Sequence, residues 1–156
     1  MKLEIGLSAE DLDVEVRLLN KLLADEYVIY TKTRNYHWNV KGAQFSELHL
    51  FFQNQYEQLN AIVDEVAERC RALGGNAIGT LAEFKQHATL TEQPGVYPDA
   101  AGMVADLLGD HEAVVRVPAG GCGDHRGDLQ RCRDEWLPQR PPQAPRESRL
   151  DAPLLS

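Results

Sequence analysis

Apolar residues recur at helical spacing almost from the start of the chain. Leu12, Val16, Leu19, Leu23 and Tyr27 stand three to four positions apart, the period of one face of an α-helix. Ser8 precedes this run and Asp11 follows it three residues later, a capping box with aspartate in the usual glutamate place. No glycine or proline interrupts between Ser8 and Gly42. The pattern predicts one helix from about Ala9 to Asn39. At about 30 residues it far exceeds the globular mean of roughly 11–12, so a bundle or coiled coil is expected. Val40 to Ala43 predict a short turn. A second helix should run from about Ser46 to Leu73, with Leu48, Phe51, Phe52, Gln55, Leu59, Ile62, Val66 and Leu73 as its broad apolar side. Gly74 and Gly75 end it, as glycine does at helix C-termini. Two long helices joined by a short turn pack antiparallel.

An irregular crossover follows, roughly residues 76–98, with a short helical stretch from Thr80 to His87 and two turn prolines, Pro94 and Pro98. Asp99 can cap a third long helix that carries Met103, Val104, Leu107, Leu108 and Val114. A long crossover between helical hairpins is one way to connect a four-helix bundle. The text then changes. From Val117 onward six of the eight prolines occur, Lys, Ile, Phe and Tyr vanish, and the apolar period stops. A fourth bundle helix is needed here, and the printed residues do not supply it.

Composition narrows the function classes only a little. With 156 residues the chain can form one domain with a real core. No apolar run is long enough to span a bilayer, and the start lacks the basic and apolar regions of a signal peptide. Cys70, Cys122 and Cys132 have no zinc-like spacing and form no obvious disulfide set, which fits a reducing cytoplasm. The net charge of −8 repels nucleic acid unless basic residues cluster, and it suits metal cations.

The chemistry-bearing residues lie on the first two helices. His37 is near the end of the first and His49 near the start of the second. Asp64 and Glu68 stand four apart on the second, so their carboxylates share a face. Imidazole with carboxylate suits iron, manganese or zinc, and iron where coordination positions stay open. Taken singly, each has an ordinary reading: a histidine beside Trp38 is a packing residue, and an Asp-x-x-x-Glu pair is a solvated face.

Taken together, they resemble the Dps family of mini-ferritins. The stretch Asn35-Tyr36-His37-Trp38-Asn39-Val40-Lys41-Gly42 resembles the family motif, as do Phe45, Leu48, His49 and Phe52, and the run from Asp64 to Arg69 before Leu73-Gly74-Gly75. The resemblance covers about Leu12 to Arg116. It implies an all-α, ferritin-like four-helix bundle and a hollow shell of twelve identical subunits. It also implies an iron site at a twofold interface, with His37 and His49 from one subunit and Asp64 and Glu68 from its partner. Ferrous ions there, one or a di-iron pair, would be oxidised preferentially by hydrogen peroxide and stored as ferric mineral. Trp38 would lie beside the site, as an electron donor or as packing. Tyr36 and His87 would be packing or surface residues. DNA binding in the family commonly uses a mobile basic terminal tail; here Met1 to Glu10 offers Lys2 against Glu4 and Glu10, which speaks against it and against a nucleoid location.

The family's last helix is absent in frame. One base later, the codons of Leu150 to Ser156 can read Trp-Met-Leu-Arg-Ser and a stop. Those of Leu129 to Pro138 can read Tyr-Asn-Asp-Ala-Gly-Thr-Asn-Gly-Phe-Leu, and those of Ala144 to Glu147 His-His-Glu-Lys. This shadow text resembles the family's final turn and helix. The expected organisation is therefore a ferritin-like domain over residues 1–116 and a frameshifted fourth helix over residues 117–156. Besides iron oxidation, two other readings stay open: a DNA-compacting protein with little oxidase activity, and a non-assembling fragment.

Overall fold

The computed structural model describes residues 6–116, so the segment expected to hold the frameshifted fourth helix lies outside the described residues. The chain divides into two units, Met1–Gly121 and Cys122–Ser156, and all described residues belong to the first. Four helices and no strand occur among the described residues: α1 (Ala9–Asn39), α2 (Phe45–Ala72), α3 (Leu81–His87) and α4 (Ala100–Val115). The architecture is an all-α, ferritin-like bundle, with α3 lying in the crossover between α2 and α4.

The ends of α1 fall where the capping signal and the turn placed them. The Ser8 hydroxyl accepts from the Asp11 N–H, and the Asp11 carboxylate accepts from the Ser8 N–H. Helix α2 begins one residue earlier than expected, because Gln44 makes no side-chain cap that would mark the start. Its C-terminus is a Schellman turn. Gly74 adopts φ +85°, the Gly75 N–H donates to the Cys70 carbonyl and the Gly74 N–H to that of Arg71. A Cβ on Gly75 would collide with the Val16 side chain, so glycine there lets the end of α2 close onto the start of α1. Thr80 and Glu83 form a second capping box that starts α3 one residue after the expected position. Asp99 caps α4 through the Gly102 N–H.

Helix α1 is the spine; α2, α3 and α4 all pack on it. Helices α1 and α2 are antiparallel, with His37 beside His49 at one end and Asn20 beside Cys70 at the other. One core cluster joins Ile29, Tyr36 and Val40 to Phe52, Leu59, Met103 and Leu107. A second joins Leu23, Ala24 and Val66 to Phe84 of α3. Phe51, expected on the apolar side of α2, is 47% exposed. On α4, Val104, Leu108 and Val115 also face outward, Val115 at 85%. Their spacing makes one stripe, and nothing among the described residues covers it.

Several polar side chains on α1 are buried, and Asp25 and Lys32 among them act at long range. Asp25 accepts from the Thr89 and Leu90 N–H groups and the Thr89 hydroxyl, at 2.6 to 3.0 Å, and so pins the crossover. Lys32 reaches Asp110 at 2.6 Å and Asp106 at 3.1 Å. Burial alone would depress the Lys32 ammonium, but these two carboxylates hold it above its ordinary value. The Tyr36 phenol donates to Asp106 at 2.5 Å, which ties α4 to α1; Tyr36 is thus a packing residue, as expected, and His87 is exposed.

Glu26 has no such partner. It is buried, its Oε2 makes no hydrogen bond, and burial followed by the adjacent Asp25 charge push its carboxyl up from 4.5 to about 7. Because the folded value is raised, this group favours folding fully below its unfolded value and loses that contribution as pH rises through about 7. Glu26→Gln should therefore leave stability unchanged at acid pH. At alkaline pH it should gain on the order of 3 kcal/mol, at 1.36 kcal/mol per pKa unit. Urea midpoints across pH test this; equal midpoint shifts at all pH values would refute it.

Candidate metal centre

The geometry brings together the imidazole half of the expected ligand set. His37 lies in the last turn of α1 and His49 in the second turn of α2. Their rings stack at 3.7 Å between centroids with 22° between planes. Each ring donates from Nδ1 to the other residue's backbone carbonyl, at 2.8 Å in both directions. A carbonyl only accepts, so each Nδ1 carries the proton. In the neutral ring the lone pair then stands on Nε2, the tautomer that ligates a metal. The short turn 40–44 is what permits this reciprocal lock, since it sets the two histidines twelve residues apart across a tight connection. His37 is 8% exposed and His49 half-buried, so the pair sits just under the surface.

The carboxylate half lies elsewhere. Asp64 and Glu68 are exposed and one turn apart on α2. Asp64 follows His49 by fifteen residues on the same helix, roughly 22 Å along the axis at 1.5 Å per residue. Among the described residues of one chain, no three His, Cys, Asp or Glu side chains gather into a metal site. The four therefore do not come together as one site among the described residues of one chain.

Sequence patterning missed the surroundings of the histidines. Tyr56 meets His37 edge-on at 5.3 Å, and Phe45 stacks on His49 at 5.0 Å. The Arg34 guanidinium lies 5.0 Å from the Trp38 ring, 5.4 Å from Tyr30 and 5.6 Å from Tyr56. Trp38 itself is 64% exposed. The i, i+4 spacing of Tyr30, Arg34 and Trp38 was a signal for this cluster; the contribution of Tyr56 from α2 was not visible.

A long helical hairpin, a crossover and a capped third helix, with paired histidines at the hairpin turn, define a ferritin-like protein. The family model for the ferritin-like domain matches residues 16–117. An uncharacterized low temperature-induced protein of Nostoc is 46% identical over 138 residues, which is 88% of this chain and 73% of that protein. That match runs past Arg116, whereas the family model stops at the change in composition. DNA protection during starvation protein 2 of Bacillus anthracis is 38% identical over 101 residues, 64% of this chain and 68% of that one. Among solved structures, DpsC from Streptomyces coelicolor superposes with a TM-score of 0.71 at 27% identity, over 86% of this chain and 76% of that chain. The chain belongs to the Dps family. No helix among the described residues is long and apolar enough to cross a membrane.

Proposed function

We propose that this protein is a ferroxidase and iron-storage mini-ferritin that oxidises Fe(II), preferentially with hydrogen peroxide, and so protects against oxidative damage. Family membership supports iron storage and protection in general. The observation that carries the finer reading is the reciprocal histidine lock, which ties up both Nδ1 atoms and leaves Nε2 as the ligating nitrogen of each neutral ring. In the proposed site, His37 and His49 of one copy meet Asp64 and Glu68 of a second copy. Four such ligands leave positions for water, peroxide and a second ferrous ion. Two ferrous ions then supply both electrons that one peroxide takes, and no hydroxyl radical is released. Twelve copies in a cytoplasmic shell would hold the ferric product. In this reading residues 1–116 are the ferritin-like domain, and residues 117–156 are the displaced reading of its last helix.

Stopped-flow measurement of ferric product tests the reading. Peroxide should outpace dioxygen at equal oxidising equivalents, and each site should turn over two ferrous ions per peroxide. An oxidation rate no faster than that of free Fe(II) would overturn it.

Strong DNA binding is not part of this function. Lys and Arg contacts to phosphate supply most non-specific affinity, and the chain carries 24 acidic against 16 basic residues. The purified protein should leave duplex DNA unretarded at physiological salt with metals chelated; a clear mobility shift would favour the DNA-compacting alternative.

A further inference from the structure

We propose that Asp106 on α4 is a positioning residue for the histidine pair, and that it acts through the Tyr36 hydroxyl. The proposal rests on the ferroxidase reading above and names a part of the chain, outside the hairpin, on which that site depends.

The need for a brace follows from where His37 stands. Helix α1 ends at Asn39, so His37 lies in its last turn. The last four carbonyls of a helix have no donor within it. The His37 carbonyl is one of these, and it accepts from His49 Nδ1 at 2.8 Å. Half of the reciprocal lock therefore hangs on a helix end, where fraying begins. The lock holds only while the last turn of α1 keeps its shape.

Tyr36 holds that turn in three ways. Its backbone carbonyl accepts from the Val40 N–H at 2.8 Å, which closes the helix. Its ring packs on Phe52 of α2, with 6.3 Å between centroids and 55° between planes. Phe52 is fully buried and follows His49 by three residues, so this ring pair neighbours the imidazole pair across the same hairpin. The Tyr36 hydroxyl donates to Asp106 Oδ2 at 2.5 Å. The first two ties lie within the hairpin; the third reaches α4, seventy positions away.

Asp106 is itself held in place. The same Oδ2 takes the Lys32 ammonium at 3.1 Å, and Lys32 reaches Asp110 at 2.6 Å. Lys32 precedes Tyr36 by one turn of α1, and Asp106 precedes Asp110 by one turn of α4. Helix α1 is thus clamped to α4 over the turn that leads into His37. A carboxylate acceptor also makes the Tyr36 bond charge-assisted, roughly twice as strong as a neutral one. Asp106 is bonded to Tyr36 and Lys32 rather than to either histidine, so its effect is on where His37 stands and not on the chemistry.

The test uses the assembled protein and Co(II), which takes imidazole and carboxylate ligands and is read by its d–d absorption. Asp106→Ala should weaken Co(II) binding by about tenfold, the lower end of the range for groups that support metal ligands. In the metal-free, 15N-histidine-labelled protein, the two Nδ1–H protons should exchange with water about tenfold faster or more. Tyr36→Phe should do the same, and the combined variant should be no worse than either, because both break one bond. Asp106→Asn keeps an oxygen for the hydroxyl and should bind Co(II) within about threefold of wild type. Asp110→Ala removes the shorter Lys32 contact without touching Tyr36, and should leave Co(II) binding within about twofold; this separates positioning from a general loss of stability. Wild-type Co(II) binding and proton exchange in folded Asp106→Ala, an equal loss in Asp110→Ala, or additive losses in the combined variant would each overturn the brace and leave the ferroxidase reading intact. If the variants loosen the lock as expected but wild type oxidises iron no faster than free Fe(II), the brace stands and the ferroxidase reading falls.

Discussion

The double variant His37→Ala, Asp64→Ala is expected to lose rapid ferrous oxidation by roughly a hundredfold or more, the scale on which even the supporting groups of metal sites act. Its helical content should not change. Asp64 is exposed, and surface substitutions usually shift stability by within about 0.5 kcal/mol. His49 donates to the backbone carbonyl of residue 37, which alanine retains, so the second imidazole keeps its position. Unchanged kinetics in a well-folded double variant would refute the site.

The two single variants carry a sharper test, because the histidines and carboxylates are proposed to come from different copies. Each alone should be inactive. When His37→Ala and Asp64→Ala chains are unfolded together and co-assembled in equal amounts, about a quarter of the sites should combine an intact histidine pair with an intact carboxylate pair across the twofold interface. Activity should return to about that fraction of wild type. No recovery in verified mixed assemblies would mean that the four residues do not share a site between subunits.

How much of this was legible in the sequence depends on the kind of residue. The lengths of α1 and α2 could be read from apolar spacing, from the Ser8–Asp11 box and from Gly74-Gly75, because those signals act within one or two turns. The histidine pairing could be anticipated only as two residues flanking a turn; their reciprocal carbonyl bonds depend on the exact closure of that turn. Asp25, Glu26 and Lys32 were illegible. They lie on the buried side of α1, where a hydrophobic pattern registers charge as an interruption, and the partners of Asp25 and Lys32 lie more than sixty positions away. Tyr56 was equally hidden, since its significance comes from Arg34 and His37 on another helix. Phe51 shows the opposite error. Its position fits the apolar face of α2, yet the described part of the chain does not cover it.

The second large effect is expected at the C-terminus. A chain ending as printed should aggregate or remain small, and a chain continued one base later should form a dodecamer. Pro138, Pro141, Pro142 and Pro145 each lack a backbone donor and would clash with a preceding helical turn, and one interior proline costs about 3 kcal/mol or more. A typical domain has only roughly 5–15 kcal/mol in total, so a bundle helix containing all four is not affordable. Helix α4 shows what that helix is needed for: Val104, Leu108 and Val115 form an outward apolar stripe on the element that has α1 as its main packing partner. An uncovered stripe of this kind drives association. Expressing both versions and comparing them by size-exclusion chromatography with light scattering separates the outcomes, and resequencing the locus shows which frame the gene carries. A well-formed dodecamer from the printed sequence would mean that the stripe is covered by other means, and an uninterrupted frame as printed would remove the frameshift itself.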